Sequence, residues 1–217
     1  MEKGNITRFV GVTGLPGAGK GAFIDLLRPL LAERGITTRY YSLSDELRAE
    51  ARRRGLAVER PILRAIANEL RLEQGSGVLS KLVVRQIGED LRLLQNRGTQ
   101  VVIIDAIRNP EEVHVLRREL EPRFTLVGVE APLEVLVNRS ASRARYDEPD
   151  EFVQEKTAAR KMILGESGMD EPAHGHNIAK CVAEADWHLD NSGTLEDLEA
   201  ATRRFIDATI LVPAEKE

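Results

Sequence analysis

The sequence predicts an α/β fold, a three-layer α/β/α sandwich with a five-stranded parallel sheet between two layers of helices. Short apolar, β-rich runs alternate along the chain with helical patterns, and several of these runs are continuously apolar, as is typical of parallel strands buried on both faces. At 217 residues the chain is long enough for one such domain with inserted segments. The predicted strands are Arg8–Thr13, Thr37–Ser42, Val101–Asp105, Phe124–Glu130 and Trp187–Asp190.

The segment GLPGAGKG follows the first predicted strand and opens a helical pattern, which is the setting of a phosphate-binding loop (P-loop). Gly14, Gly19 and Lys20 match the spacing of a Gly, four residues and then Gly-Lys. Glycines let several backbone N–H groups converge on a polyphosphate, and the following helix end and Lys20 add positive charge. We therefore expect a nucleoside triphosphate to be bound by Gly14, Leu15, Pro16, Gly17, Ala18, Gly19, Lys20, Gly21 and Ala22.

A carboxylate at the end of the third predicted strand is the candidate metal ligand. The loop lacks the usual Ser or Thr hydroxyl after the lysine, because Gly21 and Ala22 stand there. Asp105 ends an apolar strand, where P-loop enzymes carry an acid that holds Mg²⁺ directly or through water. Taken alone, Asp105 could be a strand-end or helix-capping acid, but the P-loop upstream favours the metal role. We expect Lys20 and Asp105 to be catalytic, with Mg²⁺ at Asp105.

Two arginines follow strand ends and are candidates for binding a second phosphate. Arg108 comes three residues after Asp105, and its planar guanidinium matches phosphate oxygens. Arg48 lies one turn into a helix for which Ser42 or Ser44 is the candidate cap. We expect Asp45, Arg48 and Arg108 to be the substrate-binding residues. The alternative for Arg108 is an exposed arginine in a loop.

Two segments are longer than a simple crossover connection between parallel strands needs to be. The domain division predicted for residues 1–217 is a core of 1–43, 98–138 and 184–217, a helical insertion of 44–97 and a lid of 139–183. Such segments commonly cover substrates, although they could merely enlarge the helical layers. Arginines stabilise the charge of a transferring phosphate, and the polar stretch in the lid supplies Arg139, Arg143 and Arg145, of which Arg143 and Arg145 are the catalytic candidates.

The turn after the last predicted strand is expected at the sheet edge beside the P-loop. Asn191, Ser192 and Gly193 are therefore expected to contact the nucleotide base. Thr194 with Asp197 resembles a capping box, which by itself accounts for that turn.

Composition restricts the location and the partners. The net charge of −4 disfavours broad nucleic-acid binding, and the single cysteine, Cys181, excludes an intramolecular disulfide. No signal peptide or membrane-spanning run is visible, so a cytoplasmic protein without a membrane partner is expected. His174 and His176 are a weak metal-ligand set without Cys or a placed acid, and Cys181 is expected to be packed.

The motifs resemble the adenylate-kinase-like branch of P-loop kinases. GLPGAGKG is similar to the GxPGxGKG form of that branch, although Ala22 replaces a Thr. The segment Ser44–Arg48 is similar to the start of the monophosphate-binding helix, and Asp105–Arg108 to an Asp-Gly-hydrophobic-Pro-Arg segment that is longer by one residue. The tail Ala185–Leu195 looks like dephospho-CoA kinases, and Leu72–Gly77 resembles nucleotide-kinase-like proteins related to both groups.

The resemblance implies ATP at Gly14–Gly21, Mg²⁺ near Asp105, an acceptor phosphate at Arg48 and Arg108, and a mobile lid with arginines around 139–145. The cysteine cluster of some adenylate kinase lids is absent. The leading hypothesis is a kinase that moves the γ-phosphoryl group of ATP to a nucleoside monophosphate or similar small phosphorylated acceptor, as a monomer or small homo-oligomer.

Two alternatives remain open. A dephospho-CoA kinase would need a general base such as Asp45 near a ribose hydroxyl. A nucleotide-dependent switch with little turnover agrees with the missing loop hydroxyl but not with the arginines placed for an acceptor. A GTPase is disfavoured because no Asn-Lys-x-Asp segment is present.

Overall fold

A computed structural model describes residues 6–93, 99–142, 156–169 and 171–211. Its five strands form one parallel sheet, which confirms the predicted fold class. The strands are β1 (Ile6–Thr13), β2 (Thr37–Ser42), β3 (Thr99–Ile107), β4 (Phe124–Glu130) and β5 (Trp187–Asp190). Their order across the sheet is β2-β3-β1-β4-β5. β1 and β3 are longer than predicted, whereas β2, β4 and β5 have the predicted bounds.

The strands are connected mainly by helices. The described helices are α1 (Lys20–Ala32), α2 (Leu43–Arg53), α3 (Arg60–Gln74), α4 (Val78–Leu93), α5 (Pro110–Leu120), α6 (Leu133–Ala141), α7 (Lys156–Ser167), α8 (Ile178–Ala183) and α9 (Leu195–Phe205). A short π-helical turn, Ile206–Ile210, follows α9. Thus α2, α3 and α4 all lie between β2 and β3.

Alternating residues of β3 separate the two hydrophobic layers. Val101 and Ile103 belong to a cluster with residues of α1, α6, α7 and α9. Val102 and Ile104 belong to a second cluster with residues of α2, α3, α4, α5 and α8. All four side chains are fully buried. The continuously apolar strand is thus explained by helices on both faces.

Helix caps fix the polar ends of the connections. The Ser42 side chain accepts a hydrogen bond from the Ser44 N–H and caps α2, and Thr194 forms a reciprocal capping box with Asp197 at α9. Both agree with the sequence expectations. Asn109 forms a further capping box with Glu112 at the start of α5.

Two further expectations concern burial and hydropathy. Cys181 is fully buried in the second cluster, and burial raises the pKa of its thiol. Within the part of the chain that the structure describes, no helix combines the length and apolar character needed to cross a bilayer.

Candidate functional site

The P-loop connects the carboxyl end of β1 to α1, and three of its glycines, Gly14, Gly17 and Gly19, have no room for a side chain. Gly17 and Gly19 have φ values of 82° and 96°, in the left-handed region. A Cβ atom would lie 2.6 Å from the Leu136 carbonyl oxygen at Gly17 and 2.0 Å from Asn191 Nδ2 at Gly19. The loop therefore requires glycine at both positions, for its backbone path and for its close contacts.

Lys20 begins α1 and reaches back over the loop. Its Nζ donates a hydrogen bond of 2.7 Å to the Gly14 carbonyl oxygen. It also lines a cavity of about 210 Å³, called here the nucleotide-side cavity, together with Asp105 and Arg108. Lys20, Asp105 and Arg108, which the sequence predicts for one site, thus line one cavity.

One oxygen of the Asp105 carboxylate has a protein partner and the other has none among the described residues. Tyr40 donates a 3.0 Å hydrogen bond to Oδ2. Burial, followed by the charge of Asp105, raises the pKa of the Tyr40 hydroxyl, so it remains a donor. Oδ1 is buried without a hydrogen-bond partner in that part of the chain. A buried carboxylate oxygen of this kind fits a cation ligand.

The residue after Asp105 has an unfavourable backbone conformation. Ala106 has a φ of 65°, and it is the one non-glycine residue with positive φ among the described residues. The pairing register between β1 and β3 shifts at this point, from Gly11 opposite Ile104 to Thr13 opposite Ile107. This irregularity interrupts the pairing with β1 next to Asp105, while Asp105 still pairs with Ser42 of β2.

A second cavity, of about 270 Å³, adjoins the first at Arg48 and Arg108. It is called here the arginine cavity, because arginines from two helices, α2 and α3, and the loop after β3 line it. Leucines of α2, α3 and α4 form its apolar part. Its polar lining residues are Ser44, Arg48, Arg60, Arg64, Arg71, Arg108 and His176.

Carboxylates pair with most of these arginines. Asp45 contacts Arg48 at 3.2 Å, and its side chain is 64% exposed. Glu166 and Glu171 pair with Arg60 and Arg64 of α3. These last two pairs stand between the arginine cavity and a wider space of about 750 Å³ along α7.

Arg108 differs from the other cavity arginines. No hydrogen bond or ion pair joins its guanidinium to a described residue. Burial lowers the pKa of Arg108, and the charge of Glu166 opposes that effect. Burial alone would raise the pKa of Glu166, but the nearby Arg108 and Arg60 lower it to about 2. Arg108 therefore offers its N–H groups to an anion in either cavity.

Glu112 organises the buried side of the arginine cavity. Its Oε1 accepts a 2.7 Å hydrogen bond from Arg71 Nη2, and the two side chains are 0% and 1% exposed. Its Oε2 accepts backbone N–H bonds from Arg108 and Asn109 at 2.8 and 3.1 Å. One carboxylate thus holds both the arginine of α3 and the loop after β3.

His176 is also held next to that loop. Asn109 Nδ2 donates to the carbonyl oxygens of Ala173 and Gly175 at 3.0 and 2.7 Å. The Asn177 N–H donates to the Arg108 carbonyl oxygen at 2.7 Å. These bonds fix both ends of the turn that carries His176, which is 3% exposed.

The turn after β5 contacts the P-loop, where the sequence analysis expects it. Asn191 Nδ2 donates to the Ala18 carbonyl oxygen at 2.8 Å, and the Asn191 N–H donates to the Glu130 carbonyl oxygen. Arg139 of α6 donates to the Asn191 carbonyl oxygen at 2.8 Å. Ser192 and Gly193 follow as exposed residues. A base contact by these three residues stays a prediction.

The other predicted site residues are placed as follows. Gly21 and Ala22 lie in the first turn of α1. Asp45 is not among the described residues that line either cavity. Arg143 and Arg145 lie outside the described residues. No group of three or more His, Cys, Asp or Glu side chains suited to a metal occurs among the described residues.

Five lining residues were missed by the sequence reasoning. The α3 arginines carry a usable signal in the sequence. Arg64 and Arg71 follow Arg60 by four and eleven residues, so all three share one helix face. Tyr40 and His176 carry no such signal, since each depends on contacts between distant parts of the chain.

Comparison with known proteins agrees with this geometry. A family model described as AAA domain matches residues 13–156, which is more than half of the chain. The chain belongs to this family. The match begins at the end of β1, directly before the P-loop. It includes Asp105 at the end of β3 and Arg108, which lines both cavities. The protein is therefore a P-loop AAA-domain protein with a kinase-like fold.

Relatives and solved structures extend the similarity over most of the chain. The UPF0200 protein TK1334 of Thermococcus kodakarensis is 29% identical and covers 92% of this chain and 96% of its own length. A UPF0200 protein of Methanoregula boonei is 28% identical over 91% and 94%. A shikimate kinase from Bacteroides thetaiotaomicron has a TM-score of 0.54 at 14% identity, with coverage of 94% and 99%. The crystal structure of APE1195 has a TM-score of 0.52 at 22% identity, with coverage of 97% and 98%. The two structures show a shared fold.

Proposed function

We propose that this protein transfers the γ-phosphoryl group of ATP to a nucleoside monophosphate or a similar small phosphorylated acceptor. The observation that carries the proposal is the junction of the two cavities at Arg48 and Arg108. Lys20 and the P-loop line one side of that junction, and the arginines of α3 line the other. Two phosphorylated molecules would therefore meet at Arg108.

The nucleotide side has the groups that phosphoryl transfer needs. The P-loop amides and the positive end of α1 would bind the phosphates, and Lys20 would exchange its bond to the Gly14 carbonyl oxygen for phosphate oxygens. Mg²⁺, where bound, neutralises charge on the phosphates. Asp105 would hold it through its unpartnered Oδ1, and Tyr40 keeps the carboxylate oriented through Oδ2.

The acceptor side positions and neutralises an anion. Arg108 makes no hydrogen bond or ion pair with a described carboxylate, although the charge of Glu166 acts on it, and Arg48 is shared by both cavities. Burial makes such charge-assisted bonds stronger than they are in water. The proposed roles of Arg143 and Arg145, and the division into core, insertion and lid, stay predictions.

The dephospho-CoA kinase alternative is less well supported, because its candidate base, Asp45, is exposed and paired with Arg48. The switch alternative keeps one observation in its favour. Gly21 supplies no hydroxyl to the metal, so the metal would depend on Asp105, phosphates and water.

The test is transfer of labelled γ-phosphate from Mg-ATP to a pooled panel of ribonucleoside and deoxyribonucleoside monophosphates plus dephospho-CoA, with products identified by mass. A labelled product is expected with the wild type. Lys20→Ala should abolish it, and Lys180→Ala, a change on the exposed face of α8, should leave it unchanged.

Native melting curves of both variants are the control for folding. Retention of transfer by a folded Lys20→Ala variant would contradict the P-loop assignment. Tight ATP binding without any labelled product in the panel would favour the switch.

A further inference from the structure

The arginine cavity has a buried end that differs chemically from its open end. Arg71 and His176 are 3% exposed each, whereas the side chains of Arg48 and Arg64 are 33% exposed. Acceptors enter from the exposed side, so Arg71 and His176 would meet the part of the molecule that is inserted furthest.

Both buried residues carry polar atoms that the protein leaves unsatisfied. Arg71 uses Nη2 for Glu112, but its Nε and Nη1 have no hydrogen-bond partner within the described residues. His176 Nδ1 is likewise buried without a partner there. Buried polar atoms without a partner cost desolvation free energy. A ligand in the cavity is positioned to satisfy them.

The charge at this end is balanced. Glu112 neutralises Arg71 through a fully buried ion pair. Burial, followed by the charge of Arg108, lowers the pKa of His176 to about 2, so its ring is neutral. The open part of the cavity, by contrast, includes Arg108, whose guanidinium has no partner among the described residues. An anion is favoured at Arg108, and a neutral polar group at the buried end.

The neutral group must satisfy two kinds of atom. Arg71 supplies only N–H donors, whereas one nitrogen of a neutral histidine accepts. A hydroxyl accepts from an arginine and donates to a histidine at the same time. We propose that Arg71 and His176 bind a hydroxyl of the acceptor, which is therefore a hydroxylated molecule whose anionic group lies at Arg108. This inference rests on the proposed function.

Two hydrogen-bonded connections keep these groups in place before any ligand arrives. Glu112 joins Arg71 to the backbone of Arg108 and Asn109. Asn109 in turn holds the turn that carries His176. The anion-binding and hydroxyl-binding residues thus share one rigid support. A preorganised site of this kind discriminates strongly against a ligand that lacks the expected hydroxyl.

The experiment compares His176→Phe with His174→Phe, a matched change at a partly exposed histidine two residues away. Melting temperatures are measured at about pH 8, where a histidine is neutral in both folded and unfolded chains. Because Phe has no buried unpaired nitrogen, His176→Phe should raise the melting temperature by about 2–4 °C. If the His176 ring instead stabilised the fold, its replacement would lower the melting temperature. A lower melting temperature for His176→Phe therefore overturns the proposal.

Binding is measured in parallel with a non-hydrolysable ATP analogue and Mg²⁺ present. The probes are matched pairs: glycerol 3-phosphate against propyl phosphate, and AMP and GMP against their 2′,3′-dideoxy forms. In at least one pair the wild type should prefer the hydroxylated member by about tenfold or more. His176→Phe should bring that ratio close to one without changing affinity for the ATP analogue, and His174→Phe should keep it.

Equal affinities within every pair in the wild type, or a ratio that survives His176→Phe, overturn the hydroxyl proposal but leave phosphoryl transfer standing. If the wild type binds the ATP analogue but no phosphate-bearing probe, the acceptor site of the proposed function fails, and the hydroxyl proposal fails with it.

Discussion

The backbone N–H of Asn177 donates a 2.7 Å hydrogen bond to the carbonyl oxygen of Arg108. This bond joins the loop after β3 to the turn that carries His176, although the two residues are far apart in the chain. The arginine cavity is therefore assembled only when both segments have folded against each other.

Arg108→Ala should raise the KM of the acceptor by about 10–100-fold and change the KM of ATP by less than about twofold. The reason is that Arg108 lines both cavities and makes no hydrogen bond or ion pair with a carboxylate among the described residues, so its N–H groups are available to an anion. Steady-state kinetics with the acceptor found by mass would measure both constants. Arg118→Ala, at an exposed position of α5, is the control. Equal increases in both KM values would assign Arg108 to the nucleotide instead.

Gly21→Ser should increase the affinity for Mg-ATP by about fivefold relative to Gly21→Ala. The space is open, because no atom lies within 4 Å of a Cβ built at Gly21. The added hydroxyl would stand where P-loops usually supply a metal ligand. Alanine separates this effect from the helix stabilisation that either change brings. Titration with and without Mg²⁺ gives the result, and identical metal-dependent affinities for the two variants would place the metal away from this position.

Ala106→Gly should increase the free energy of unfolding by about 0.5–1 kcal/mol. Ala106 has a φ of 65°, a conformation that costs an L-residue about 1–2 kcal/mol, and glycine avoids most of that cost. Urea unfolding would measure the change. Ala179→Gly, at an exposed position of α8, should instead lose about 1 kcal/mol. Destabilisation at both positions would show that the backbone at Ala106 is not strained.

Acidification should destabilise the protein in two phases. His176 has a folded-state pKa of about 2 against 6.5 in the unfolded chain, so the unfolded state binds a proton first. The contribution of His176 to the free energy of unfolding is fully present above about pH 6.5. Below that pH the free energy of unfolding should fall by about 1.4 kcal/mol per pH unit. Glu166, whose pKa is lowered from 4.5 to about 2, adds a second loss below about pH 4.5.

Urea unfolding at several pH values would resolve these phases. His176→Phe should remove the first and keep the second. A wild-type stability that is constant between about pH 6.5 and 5 would contradict the buried neutral histidine.

The sequence predicts the part of the molecule that depends on local spacing. The P-loop, Asp105 and Arg108 follow strand ends at short, fixed intervals, and the carboxyl ends of parallel strands meet at one edge of the sheet. For the same reason the five strands could be located from their apolar runs, with errors mainly at the ends of β1 and β3.

The buried end of the arginine cavity could not be predicted in this way. From the sequence alone, His176 and His174 form a weak metal-ligand pair, because the two are close in sequence. The structure instead places His176 with Arg108 through bonds from Asn109 and Asn177, which connect segments more than 60 residues apart. The α3 arginines were within reach of a helical-face pattern, but only the fold shows which cavity that face lines.

Glu112 has a consequence for anyone who would change the specificity of this protein. Because one inaccessible carboxylate supports an arginine, a loop and, through that loop, a histidine, replacement there would displace several lining residues of the arginine cavity at once. Directed evolution toward new acceptors should therefore accumulate substitutions at Arg48 and Arg64, near the solvent-facing entrance, and leave the interior support unchanged. The site is divided into a tunable entrance and an interior in which substitutions act together.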